Sequence, residues 1–397
     1  MASTVSDRNL RGNDFSVGIS PQAAYGAIDA SPVFRPLRRT TGKPETTVSY
    51  AQDDSVSTDN QGVENIQDST EYTMELASSF SKQAVSLLIS AIHAVVASSS
   101  NVAATYAATA TGFTLSPAMY TAIAVGDAFW VSGFANSAID GLYIVLSKDG
   151  ANSITTTIAP PATELAGASV TFTSNKSANG LSPTYYAVQE RVTDTGAVGG
   201  IAYTTYYDQV INEATIEIGE TGITTDTFNF LGERRVAGEV AVAGQTYSAK
   251  LTDRAVSNAQ NITAWYVDGL KATCIQKSMT ITAANGYAGD DAAGCARQYA
   301  RGQFAVTGSA AFRAKISDPL VWRAYYEQGI RKSLGVLITH PNTTDQTFIV
   351  MRQCAITEHS QADGNSDVSN HEISFGAEGD SVTSSTIQIF TNWTVTN

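Results

Sequence analysis

Four histidines (His93, His340, His359, His371) and three cysteines (Cys274, Cys295, Cys354) are the residues of this 397-residue chain best suited to metal or nucleophilic chemistry. His359, Asp363, Asp367 and His371 crowd one stretch whose residue types could ligate a metal. That stretch, EHSQADGNSDVSNHE, also has the composition of a polar loop and is read as one. The cysteines are odd in number and far apart, with no CxxC, so neither a disulfide framework nor a zinc knuckle is expected. His93 follows an apolar helical run, where it can bond the last carbonyls. No HExxH, GxSxG, P-loop or GxGxxG occurs. No spacing sets a general acid against a base, so no enzyme and no cofactor are expected.

Carboxylates appear instead with strand periodicity. In EYTMELASSF, Glu71, Thr73 and Glu75 fall on one face and Tyr72, Met74 and Leu76 on the other. NEATIEIG repeats the pattern, with Glu213, Thr215 and Glu217 against Ala214, Ile216 and Ile218. From Val192 to Gly232 there are six acids and no base. Such faces need rigid strands to hold them and an apolar layer beneath.

The elements that could position them are mostly β. GQFAVTGSAAF, SLGVLIT, QTFIVMRQCAIT, HEISFGA and STIQIFTNWTV are rich in β-branched and aromatic residues between turn signals. Two short helices are expected. One spans Ser81 to His93, capped by Ser81, with Ala84, Leu87, Leu88, Ala91 and Ile92 as its apolar stripe. The other is SDPLVWRAYYEQG, with Asp318 as cap, Pro319 at the first position and Gly329 as stop. Leu320, Val321, Ala324 and Tyr325 would face the core. Many short strands with two helices predict a mainly β sandwich or barrel.

Three regions are expected. Residues 1–44 read as an extended arm with Arg8, Arg11, Arg35, Arg38, Arg39 and Lys43 against three acids. Residues 45–98 and 178–397 form the main β domain. Residues 99–177, with VGDAFWVSGF, NSAIDGLYIV and ASVTFTS between Ser/Ala/Asn-rich flanks, form an inserted small barrel-like module. The chain from Gln353 onwards has six acids and no Lys or Arg, so the basic arm of one copy could lie on the acidic end of a neighbour. Net charge is −13 and charged residues are only 15%. The first figure opposes gripping nucleic acid. The second favours a surface covered by copies of the chain. No apolar leader or 18-residue apolar run is seen, so neither export nor membrane binding is expected.

The order of these pieces resembles the major tail tube proteins of long-tailed, non-contractile bacteriophages. The resemblance covers most of 15–98 and 180–397. It is carried by Ala24-Tyr25-Gly26, Ser31-Pro32 and Leu37-Arg38 in the arm, Thr307-Gly308 before the second helix, and the late strand Ile373 to Phe375. It implies a tail-tube β-sandwich or split barrel, six copies closed into a ring, and rings stacked into a tube. It also implies a tape-measure protein inside, terminator and tip proteins at the ends, and assembly in the host cytoplasm. DNA would pass through without tight binding. Glu71, Glu75, Glu213 and Glu217 would then line the bore, and Arg8, Arg11, Arg35, Arg38 and Arg39 would serve contacts between subunits. The competing readings are a monomeric virion decoration or glycan-binding module, and the inner tube of a contractile tail.

Overall fold

The structure, a computed structural model, describes residues 15–53, 64–102, 106–165, 170–193, 201–238, 241–249, 252–272, 276–290, 298–313, 321–362, 370–381 and 384–395. The chain opens with β1 (Phe15–Pro21), β2 (Val33–Pro36), β3 (Pro44–Asp53), β4 (Glu64–Ser79), α1 (Lys82–Ala91) and β5 (Val95–Val102). An excursion follows with α2 (Pro117–Ala122), β6 (Ala128–Ser132) and β7 (Gly141–Gly150), closed by β8 (Thr171–Ala178). The chain continues through β9 (Tyr186–Thr193), β10 (Ile201–Ile218), β11 (Thr225–Gly232), α3 (Asn258–Asn261) and β12 (Ile262–Val267). It ends with β13 (Gln276–Ala284), β14 (Ala305–Arg313), α4 (Val321–Glu327), β15 (Lys332–Thr339), β16 (Gln346–Ala362), β17 (Asn370–Glu378) and β18 (Ile387–Thr391).

The mainly β architecture expected from the sequence is present, with two short helices, α2 and α3, beyond the two expected. One run of antiparallel strands has the order β3-β4-β11-β10-β13-β14-β17-β16. A second layer runs β12-β15-β16-β18-β8-β5, sharing the first half of β16. Between the layers lies the main core. Met74, Leu76, Ile216, Ile218, Phe228, Phe230, Met279, Ile281, Phe312 and Phe375 come from the first layer, and Leu334, Val336, Ile338, Ile349, Ile387 and Ile389 from the second. Alternation drives this, because each strand turns every second residue inward.

Helix α1 plugs one end of this core and is buried on nearly all sides, Gln83, Ser86 and Ser90 included. The polar ones are satisfied: Ser90 bonds the Tyr186 hydroxyl and the Gln83 amide donates to Pro36 O at 3.1 Å. Ser81 sits at the N-cap but makes no side-chain cap bond, contrary to expectation. Gly329, at φ 62°, ends the second expected helix, and Ile330 N returns to Tyr325 O at 2.9 Å. Asp318, Pro319 and Leu320 lie outside the described residues. Trp322 is the residue of α4 that the core takes up, stacked on Phe312 with ring centres 4.1 Å apart, while Val321 and Tyr325 are only half-buried.

The excursion has its own core, including Tyr106, Phe113, Phe129, Tyr143, Ile154 and Phe172. It seats on the outer face of the second layer, where Trp130 and Ile144 meet Tyr266, Leu337, Phe348, Val350 and Phe390. Lys176 and Arg352 form an ion cluster around buried Asp127 at the same seam, with Lys176 Nζ 2.9 Å from Asp127 Oδ1.

Residues 15–44 differ from a free extended arm. FSVGISP alternates, so β1 pairs with β9 and buries Val17 and Ile19 in the main core, joined by Leu37.

The main domain contains the same motif twice. In the first instance the pairings are β1·β9, β9·β10, β10·β11, β11·β4 and β4·β3. In the second they are β12·β15, β15·β16, β16·β17, β17·β14 and β14·β13. All are antiparallel, a helix follows the second hairpin strand each time, and the elements occur in the same chain order. The long strands β10 and β16 carry matching bulges, between Ile211 and Glu213 and between Ile356 and Glu358. The excursion interrupts only the first copy, between α1 and β9.

Candidate functional site

The first layer turns one face into the core and the other outward. The outward face is built of carboxylates and hydroxyls. Glu75 lies opposite Asn229, and Asn229 lies opposite Glu213. The Asn229 amide donates to Glu213 Oε1 at 3.2 Å. One row reads Thr225, Glu217, Thr280, Ser309, Ser374 and Glu358 across six strands. At about 4.8 Å per strand it spans roughly 24 Å. Ser374 Oγ donates to Glu358 Oε2 at 3.1 Å. The next row reads Ala77, Thr227, Thr215, Thr282 and Thr307, with the Thr215 and Thr282 hydroxyls 3.1 Å apart. Such hydroxyl ladders stabilise a sheet without presenting an apolar surface.

All four glutamates singled out in the sequence therefore share one sheet face, with Glu71 opposite Thr47 near its β3 edge. Two more were missed. Glu358 and Glu372 extend the face on β16 and β17, with Glu372 opposite Ser360 and Ala311. The alternation of Glu372 and Ser374 against Ile373 and Phe375 could have revealed one of them. On the layer's described strands, from Pro44 to Ser79, Glu213 to Gly232, Gln276 to Arg313 and Gln353 to Glu378, the bases are Lys277, Arg301 and Arg313. Lys277 and Arg313 both reach Glu220, at 3.3 and 3.4 Å, at one end of the sheet. Arg301 lies in the β13–β14 connection and donates to Gly180 O at 2.9 Å.

The histidines take no part in this face. His93 bonds Ser90 O at 3.1 Å and the Tyr287 hydroxyl at 2.9 Å, and burial lowers its pKa to about 4. His340 bonds Thr347 at 2.9 Å, and burial likewise lowers it to about 4. His359 and His371 do come together, with Nε2 and Nδ1 2.9 Å apart. That separation is a hydrogen bond between rings, in which one nitrogen donates to the other. Asp363 and Asp367 lie outside the described residues. Among the described residues no group of three or more His, Cys, Asp or Glu could hold a metal. Cys354 is a buried free thiol pushed up to about 12 by burial, and Cys274 and Cys295 are outside the described residues.

Of the basic residues, Arg8 and Arg11 lie outside the described residues. Arg38 donates to Asp253 O, and Arg39 donates to Gly42 O and Phe15 O, so both guanidinium groups already bind the chain's own backbone. Arg35 lines a cavity of about 290 Å³ with Asp29, Gln83 and Tyr186. No helix among the described residues is long and apolar enough to cross a membrane.

The described residues thus form a layered β subunit with a broad face of hydroxyls and carboxylates. In comparison with known families, residues 12–379 match the family described as phage tail tube protein, and the chain belongs to it. The family is structural, not a class of enzymes, and its members are components of the virion's tail. No curated protein matches the sequence.

Proposed function

We propose that this protein closes into rings of sixfold β architecture that stack as the tube of a long non-contractile tail, with the acidic face toward the bore. The observation that carries this is the face itself: Glu71, Glu75, Glu213, Glu217, Glu358 and Glu372 on one continuous outward surface whose bases are gathered near its ends. DNA carries about one negative charge per 1.7 Å of axis. A basic wall would hold it, whereas a wall of carboxylates and hydroxyls repels it weakly along its whole length and lets it slide. The same wall would first surround a tape-measure protein, with terminator and tip proteins closing the ends and assembly taking place in the host cytoplasm.

The layering supports the orientation. The excursion within 99–177 seats on the second layer, across the main core from the acidic face. With the acids inside, it decorates the outside, where an added domain does not narrow the bore. A contractile tail would enclose that outside in a sheath, so the outer module favours the non-contractile type.

The test is the quadruple Glu→Lys variant at Glu71, Glu75, Glu213 and Glu217. Tubes that assemble but deliver DNA poorly support the reading. Full infectivity would place these carboxylates elsewhere.

A further inference from the structure

We infer that a ring of this protein contains three chains rather than six, because each chain supplies two of the ring's six β units and joins its neighbour edge to edge through β16 and β3. The inference rests on the tube reading above and gives that tube its subunit count and its seam.

The doubled motif is the first observation. Each half of the first layer holds four strands in the same order, β3-β4-β11-β10 and β13-β14-β17-β16, followed by the same outer pair, β9·β1 and β15·β12. The halves meet where β10, last of the first, pairs with β13, first of the second. Among the described residues the layer ends at β3 on one side and at residues 355–362 of β16 on the other, each paired along one edge only. These are the counterparts of β13 and β10. Eight alternating antiparallel strands leave β3 and β16 running in opposite directions, so a second copy continues the ladder antiparallel.

Neither edge is covered by another strand among the described residues. The described side chains of β3 up to Ser49 include Glu45, Thr46, Thr47 and Ser49, all exposed, with no lysine. Thr357, Glu358 and Ser360 are exposed on β16. Natural proteins blunt or cover such edges unless another strand takes them up.

The internal joint also sets the register. Glu213 lies opposite Ala284 and Thr215 opposite Thr282. Matching the bulges places Glu358 where Glu213 stands. Matching the hairpins, through Pro44 opposite Met74 and Ile281 opposite Gly308, places Thr47 where Ala284 stands. The seam then sets Glu358 against the neighbour's Thr47 and Ser360 against its Glu45. This keeps Glu45 away from Glu358, a like-charge pairing that a sheet disfavours, and continues the polar face across the seam.

The bore decides the copy number. Strands about 4.8 Å apart and tilted by about 40° set 24 strands on a circle roughly 50 Å across and 48 strands on one of roughly 95 Å. Three chains give the first figure and six the second. Only the narrower ring confines a double helix closely. The six-copy ring expected from the family resemblance thus keeps its six parts and halves its chains.

The experiment is mass and cross-linking of assembled tubes of the full chain. Mass per ring should be about 125 kDa, three chains of 41.8 kDa. Thr47→Cys combined with Glu358→Cys, and Glu45→Cys with Ser360→Cys, should give ladders of covalent oligomers on oxidation. Thr46→Cys with Ser360→Cys, on opposite faces, should not. Rings of about 250 kDa, or tubes in which neither same-face pair cross-links, would overturn this inference and leave the tube reading standing. A chain that forms neither rings nor tubes would sink both.

Discussion

Asp226 places a buried carboxyl on the core side of the first layer. It sits on β11 in line with Phe228 and Phe230, between Ile216 and Ser78 in register, and is 1% exposed. Ser78 donates to Oδ1, while Oδ2 has no hydrogen-bond partner among the described residues. Burial pushes its pKa from the ordinary 3.8 to about 6, against the opposing pull of Ser78 and Arg38. The folded state therefore holds this proton more tightly than the unfolded chain. Stability from this group is full below 3.8 and falls as pH rises to about 6. The whole difference is on the order of 3 kcal/mol, and roughly half of it lies between pH 5 and 7.5. Asp226→Asn abolishes the proton linkage, and any cost of its unpaired amide is the same at both pH values. Urea unfolding of dilute protein at pH 5 and 7.5 should thus show the variant gaining on the order of 1 kcal/mol on the wild type. His93 and His340, both lowered to about 4, act with the opposite sign, losing stability as pH falls below 6.5, and cancel in the comparison. An equal wild-type-to-variant difference at the two pH values would refute the buried carboxylate.

Trp322→Ala removes the ring stacked on Phe312 and should cost about 3–5 kcal/mol, read by urea unfolding. Gly308→Ala places a Cβ 2.1 Å from Thr280 O and 2.6 Å from Phe375 Cζ, so β13 and β14 must part; a loss of about 1–3 kcal/mol is expected by the same measurement. Cys354 should resist iodoacetamide in the native protein at pH 8 and react once unfolded, followed by mass spectrometry of its peptide. Nuclear magnetic resonance titration should find His93 and His340 neutral from pH 8 down to about pH 5.

The acidic face was legible in the sequence because its signal is local. Glu71 to Leu76 and Glu213 to Ile218 each alternate within one strand, and strand geometry alone fixes which residues share a face. Joining those strands into one surface was not legible, since the registers linking Glu75 to Glu213 depend on β11 lying between β4 and β10. Helix α4 was legible in part: Val321 and Tyr325 pack half-buried against the core as expected, while Trp322, the residue it buries outright against Phe312, was not singled out. The doubled motif left little trace. Ile211-Asn212-Glu213 and Ile356-Thr357-Glu358 share a pattern, as do Phe228 to Phe230 and Ile373 to Phe375. The excursion separates α1 from β9 in the first copy alone, so no constant period survives. Residues 1–44 hold Pro21, Pro32, Pro36 and Pro44, which read as an extended arm, whereas the short alternation of Phe15 to Ile19 is what folds as the first strand.

Electron cryomicroscopy of the concentrated, purified chain tests the central claim most directly. The account predicts hollow tubes whose bore carries Glu75, Glu213, Glu217 and Glu358, with residues 106–165 on the outside. Particles that stay single at every concentration, or a bore faced by lysine and arginine, would contradict it.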